Sequence, residues 1–419
     1  MIGSQRKLTL DTRRGDDVLP MNRRVAPSYG CAVGAGALVL PAARRLLAGL
    51  AVSAAAVLAG CASAPAENRA PPDDESVVGY YWQSISGHLA MLNASRPVAD
   101  WLADNSTPDE LRGRLELSQR LRDFGVAELG LPDNDSYRRY ADIRRGAVVW
   151  NVVAAPELSL TLQTWCFPVL GCVGYRGYFA QAGADALGAR LKAHGLEVSV
   201  YGVPAYSTLG KLPGSWFADP LLSTFINYSD AELARLVFHE LAHQVVYADG
   251  DTMFNESFAT AVERIGAERW LARHGTSSDR AAYEAVQRRR ADFQALTMDY
   301  RKRLEALYAS PLDAAAKRQR KVELMAALRA DHQRLKRERW GGYAGYDHWF
   351  ERANNAALGV LAAYTARVAA FEALYLREGR DFKRFYAEVA RLASLPAAER
   401  TAALDALDPP GSTRTATPG

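Results

Sequence analysis

Ser229-Asp230-Ala231-Glu232-Leu233-Ala234-Arg235-Leu236-Val237-Phe238-His239-Glu240-Leu241-Ala242-His243 decides how the chain is read. Leu233, Leu236, Val237, Leu241 and Val245 recur at helical spacing, so the stretch reads as an amphipathic helix. Ser229 and Glu232 stand three apart, the spacing of a capping box at its start. Four residues span about one helical turn. His239 and His243 therefore project from one face and can chelate a single metal ion. Glu240, beside the first histidine, can reach a water on that metal without being a ligand.

Downstream, the helix is expected to end near Tyr247, with Ala248-Asp249-Gly250-Asp251 as a turn and a second helix starting near Phe254. Antiparallel packing of the two helices places Glu256 opposite the histidines. Glu263, two turns further on the same face, is the alternative third ligand. Two histidines, one carboxylate and an open position are the pattern of catalytic rather than structural zinc. In that chemistry the cofactor is one Zn2+, and Glu240 accepts a proton from the attacking water and passes it to the leaving amine.

His239–His243 followed by Asn255-Glu256-Ser257-Phe258-Ala259 resembles the gluzincin metallopeptidases, whose aminopeptidase branch carries a similar Asn-Glu-Gly-Phe-Ala string. Over a wider span the chain resembles a family of predicted bacterial aminopeptidases, many of them lipoproteins. The stretches that carry this likeness are Trp165–Phe179, Ala205–Gly210, Asp219–Thr224, His239–Gln244, Phe254–Ala259 and, more loosely, Trp349–Tyr364. The resemblance implies a zincin-like zinc peptidase with His239, His243 and Glu256 as ligands and Glu240 as catalytic base. Two departures stand out. The chain has no Gly-Ala-Met-Glu-Asn string, which in those aminopeptidases binds the substrate amine. Thr260 stands where thermolysin-like enzymes place an acid.

Other side chains are expected to complete the site. A donor to the oxyanion is sought among Tyr206, Tyr343, Tyr346, His348 and Tyr364, with Tyr346 and Tyr364 first. Val203–Gly210, including Tyr206, Ser207 and Thr208, reads either as an edge strand that binds substrate backbone or as an ordinary junction. Trp165, Phe167, Tyr175, Tyr178 and Phe179 read as core packing rather than as a pocket lining.

Around this centre the pattern is α+β, strands first and helices after. Helices are expected at 77–92, 107–129, with Pro108 in the first turn, and 180–194. Strands are expected at 147–153, 158–165 and 198–206, with a loop over 207–228. Beyond Ser229 the chain reads as helical: a charged hairpin over 277–309 and 311–339, then 353–376 and 381–393. The basic residues between Lys317 and Arg339 read as a solvated helix face.

Residues 1–60 read as an export leader. Arg44-Arg45 precede an apolar run, Leu46–Leu58, of signal-peptide length, which ends in Leu58-Ala59-Gly60-Cys61. That string looks like a bacterial lipobox, making Cys61 the lipidated first residue of the mature protein, with residues 61–76 as a tether. The expected peptidase domain is 77–409, divided into a mixed half, 77–228, and a helical half, 229–409. Residues 410–419 are an expected disordered tail. In an oxidising periplasm Cys166 and Cys172 are expected to pair, two reduced thiols being the alternative.

The precursor of 419 residues has 51 basic and 47 acidic side chains, a charge of +4. The leader carries eight of the basic and three of the acidic ones, so the remainder holds 43 and 44, a charge of −1. That balance argues against nucleic acid as a partner. The expected partners are peptides and, through the lipid, a membrane. Ala62 after Cys61 is compatible with outer-membrane sorting, facing the periplasm. An envelope endopeptidase, or a lipoprotein that uses its metal only structurally, are the alternatives.

Overall fold

The structure, a computed structural model, describes residues 77–167, 171–205, 218–365 and 367–407. The expected leader, lipidated Cys61, tether and tail 410–419 lie outside the described residues, as do Tyr206, Ser207 and Thr208.

The mixed half opens with α1 (Val77–Asn93), β1 (Arg96–Pro97), α2 (Val98–Ala103) and α3 (Asp109–Leu129). Pro108 stands just before α3, as its N-cap, rather than in its first turn. Then follow β2 (Arg139–Ala141), β3 (Val149–Pro156), β4 (Trp165–Phe167), β5 (Gly171–Val173), β6 (Arg176–Tyr178), α4 (Gln181–Ala193), β7 (Leu196–Val203) and β8 (Leu221–Leu222).

The central sheet has the order β6-β3-β7 and is antiparallel, with β3 pairing along its length from Val149↔Val203 to Pro156↔Leu196. Successive side chains of a strand point to opposite faces. Val152 and Ala154 therefore pack with Ala184, Leu187 and Leu191 of α4. Val153 and Ala155 pack on the other side with Ala356. Both faces are covered, which explains a nearly continuous apolar run in β3.

A second small sheet, β1-β2-β8, contains a parallel pair, Tyr140↔Leu221 and Ala141↔Leu222. It corrects the expectation of a plain loop over 207–228. The expected strand 158–165 is also not formed. Only Trp165 onward is extended as a strand, because Leu160 turns away to pack with the helical arm and Gln163 N donates to Ala154 O. Cys166 and Cys172 face each other across β4 and β5 and are joined by a disulfide.

The helical half runs α5 (Asp230–Ala242), α6 (Thr252–His274), α7 (Ser277–Ala309), α8 (Ala314–Glu338), α9 (Asp347–Arg352), α10 (Asn355–Thr365), α11 (Val368–Arg377), α12 (Phe382–Ala393) and α13 (Ala397–Asp405). The single helix expected over 353–376 is two. α7 and α8 form the hairpin, broken at Ser310 and restarted by Asp313, whose carboxylate accepts from Ala316 N. The arm has its own apolar cluster, including Tyr300, Leu304, Leu328, Trp340 and Phe350. Its basic face is mostly solvated. Lys321 is the exception: it is buried, bonded to Glu197 and to Glu157 O.

The main core surrounds α5 and α6. Leu233, Val237, Phe238 and Leu241 are fully buried, each contributing about 1.5–3 kcal/mol of apolar transfer. α6 packs on α5, α10 and α11, and α10 packs in turn on β3 and β7. The sheet thus holds the helix pair through α10. Close approach needs Gly266: a Cβ there would lie 2.7 Å from both Leu129 Cδ1 and Phe238 Cδ2. No helix among the described residues is long and apolar enough to cross a membrane.

Candidate metal centre

His239 and Glu240 occupy the last turn of α5, and His243 is its C-cap. The helix stops at Ala242 rather than near Tyr247. Hydrogen bonds there shorten from four-residue to three-residue spacing, Gln244 N to Leu241 O and Val245 N to Ala242 O. The N-terminal capping box is also not formed: Ser229 makes no side-chain cap. Glu232 instead binds Arg290 and lies 3.5 Å from Arg235, a stronger charge-assisted arrangement.

Asn255 fixes the turn between the helices. Its side chain accepts from Ala248 N and donates to Ala248 O, both at 2.8 Å, while Asp251 caps α6 at Phe254 N. Glu256, next in the chain, faces α5. His239 Nε2 lies 3.2 Å from Glu256 Oε2 and 3.2 Å from His243 Nε2, and His243 Nε2 lies 3.8 Å from the same carboxylate oxygen. Ligand bonds of about 2.0–2.1 Å in a tetrahedron put ligand atoms roughly 3.3 Å apart. His239, His243 and Glu256 thus form a possible metal-binding triad.

The donor chemistry fits a cation. Two imidazole nitrogens and a carboxylate oxygen, each a lone-pair acceptor when unprotonated, converge within 4.8 Å of one another, a donor set that suits a cation. Glu263 Oε2 lies 3.1 Å from His239 Nδ1, a bent contact, and Glu263 Oε1 binds Arg235.

Electrostatics follow from this crowding. Burial alone would lower the His239 pKa, but Glu256 and Glu263 outweigh it and raise it well above the usual value. His243 falls to about 4, through burial and the His239 charge. Burial opposes ionisation of Glu256 and Glu263, yet His239 in the first case and Arg235 in the second hold both below the ordinary carboxylate range. Glu240 rises to about 7, mainly through burial.

The proposed oxyanion donors are placed unequally. Tyr346 stacks on Phe293, ring centroids 4.5 Å apart, in the arm cluster, within electrostatic range of Glu232 and Arg235. Tyr343 and His348 are exposed. α10 carries Tyr364. Trp165, Tyr178 and Phe179 are core residues, whereas Tyr175 is partly buried where the Glu256 charge acts on it.

Sequence reading missed Tyr137 and Tyr247. Tyr137 is buried with φ +63°, and its hydroxyl has no hydrogen-bond partner among the described residues. Burial and then the charges of Glu240 and Asp219 push it up. The ring of Tyr247 lies 6.2 Å from that of His243. Tyr137 carries no local sequence signal, since chain folding alone brings residue 137 to residue 240, whereas Tyr247, four residues after His243, could have been found from its spacing.

A family model described as "Putative aminopeptidase" matches residues 79–404. The chain belongs to that family. The match runs from α1 to α13 and includes the three sheets and the triad, so the aminopeptidase family frame covers the described fold almost entirely. Comparison with curated proteins and with solved structures returns no match.

Proposed function

We propose that the protein is a zincin-like zinc metallopeptidase that removes amino-terminal residues from peptides. The observation that carries this reading is the convergence of His239, His243 and Glu256 with the Glu240 carboxylate on the same helix turn, in a chain of an aminopeptidase family. His239, His243 and Glu256 would hold the zinc ion, which would supply Lewis-acid chemistry for water and the peptide carbonyl.

The chain supplies the rest. Glu240, beside His239 in the last turn of α5, takes a proton at its carboxylate and returns it to the leaving amine. Tyr346, Tyr364 and Tyr175 are the candidate donors to the developing oxyanion. The edge strand β7 is the proposed seat of substrate backbone, with Tyr206, Ser207 and Thr208, outside the described residues, as the proposed contacts from sequence. Leu58-Ala59-Gly60-Cys61 supports a lipid anchor at Cys61, and Ala62 after it is compatible with outer-membrane sorting, facing the periplasm. Labelled fatty acid incorporated by the wild type but not by Cys61→Ala tests the anchor.

The activity is tested by the products that zinc-loaded protein forms from a peptide mixture, half of it amino-acetylated. Stepwise release from free amino termini is expected. Cleavage of blocked peptides would identify an endopeptidase instead.

A further inference from the structure

The imidazole of His239 is held between two carboxylates. Glu256 lies 3.2 Å from Nε2, and Glu263 lies 3.1 Å from Nδ1. The two glutamates are seven residues apart on α6, two turns along one face, and Arg235 and His239 are four apart on α5. Arg235 binds the second oxygen of Glu263. Both members of that pair are buried, so each charge depends on the other. The chain continues through Glu232 to Arg290 on α7.

The ring nitrogens of an imidazole point to opposite sides, so a carboxylate on Nδ1 cannot bind a cation held at Nε2. We propose that Glu263 is a positioning residue: it accepts the Nδ1–H of His239 and fixes the tautomer that leaves Nε2 free for the metal, while Arg235 keeps Glu263 in place. Both Nδ1 atoms are buried without a regular hydrogen bond among the described residues, but His239 Nδ1 has the Glu263 carboxylate 3.1 Å away, whereas no carboxylate stands against His243 Nδ1. The pre-oriented ligand is therefore His239. The proposal rests on reading His239, His243 and Glu256 as a metal site.

The test is zinc affinity by chelator competition, with zinc alone as the probe, for wild type, Glu256→Gln and the double variant Arg235→Leu/Glu263→Leu. The double variant removes the acceptor without stranding a buried charge. It is expected to bind one zinc about 10–100-fold more weakly than wild type, and Glu256→Gln to bind weaker still. Double-variant affinity equal to wild type overturns the proposal, and so does a loss as large as that of Glu256→Gln, which would make Glu263 a ligand. A wild type that binds no zinc fails the metal reading itself, a separate result. Nitrogen-15 histidine spectra of zinc-loaded wild type, assigned with His239→Gln, decide independently of any variant's folding. The His239 proton is expected on Nδ1, and a proton on Nε2 would contradict the assignment.

Discussion

His239 and His243 present their Nε2 atoms to each other at 3.2 Å, at the end of a helix whose hydrogen-bond spacing tightens just beyond them. Two such nitrogens repel unless a proton or a cation lies between them. The geometry is held from the apolar side, by Phe238, Leu241 and Phe258, all fully buried. Removing either histidine removes a ligand and leaves these apolar residues in place. His243→Ala is expected to lose zinc, measured by elemental analysis of dialysed protein; a full equivalent retained would contradict its assignment.

Glu240 separates chemistry from binding. Glu240→Gln keeps the triad and removes the proton acceptor, so zinc content is expected to stay at wild-type level while the hydrolysis rate falls about 10²–10⁴-fold. Rates and metal content from one preparation check this, and retained activity would exclude Glu240 as the base.

The same residue is expected to weaken the metal-free fold. Its pKa is about 7 in the fold and near 4.5 unfolded, so between those values the folded state holds the extra proton. Stability then falls as pH rises from about 4.5 to 7 and stays low above it. Metal-free Glu240→Gln is expected to be more stable than wild type at pH 8, by on the order of 2–3 kcal/mol, with the gap closing toward pH 4.5. Urea unfolding in chelator at both pH values measures it, and a gap independent of pH would count against the burial of this carboxyl group.

Asn255 joins α5 to α6 through two 2.8 Å bonds to Ala248 and is fully buried. Asn255→Ala leaves Ala248 N without a partner, while Ala248 O keeps Asp251 N as a donor, expected to cost about 1–3 kcal/mol and to weaken zinc binding, because Glu256 is the next residue. Thermal melts with and without zinc read both effects.

Gly266 lets α6 approach Leu129 and Phe238. Gly266→Ala gains about 1 kcal/mol of helix propensity, but a methyl group 2.7 Å from two rigid core side chains is expected to cost more, about 1–3 kcal/mol. Destabilisation in urea is expected, and a stabilised variant would show that the helices can separate there.

Much of the site was legible from periodicity. The His239–His243 spacing, the turn at Ala248–Asp251 and the placement of Glu256 all follow from helical geometry, because neighbours in sequence are neighbours in space. The capping box was not realised, since Glu232 has a better partner in Arg290, 58 residues away. The same distance effect hid Tyr137 beside Glu240 and the role of Glu263, whose function depends on Arg235 and on which imidazole nitrogen it meets. The strand expected over 158–165 failed for a similar reason: Leu160 has the right composition but finds its apolar surroundings in the arm. Local pattern specified the helices and the long strand pair, and long-range pairing specified the rest.

The most direct test of the central claim is a titration of zinc into metal-free protein while the release of amino-terminal residues from an unblocked peptide is followed. The account predicts no activity without metal, a linear rise, and a break at one equivalent that vanishes in His239→Ala, His243→Ala and Glu256→Gln. Activity that is unchanged by removing the metal, or absent after one equivalent has bound, would contradict it.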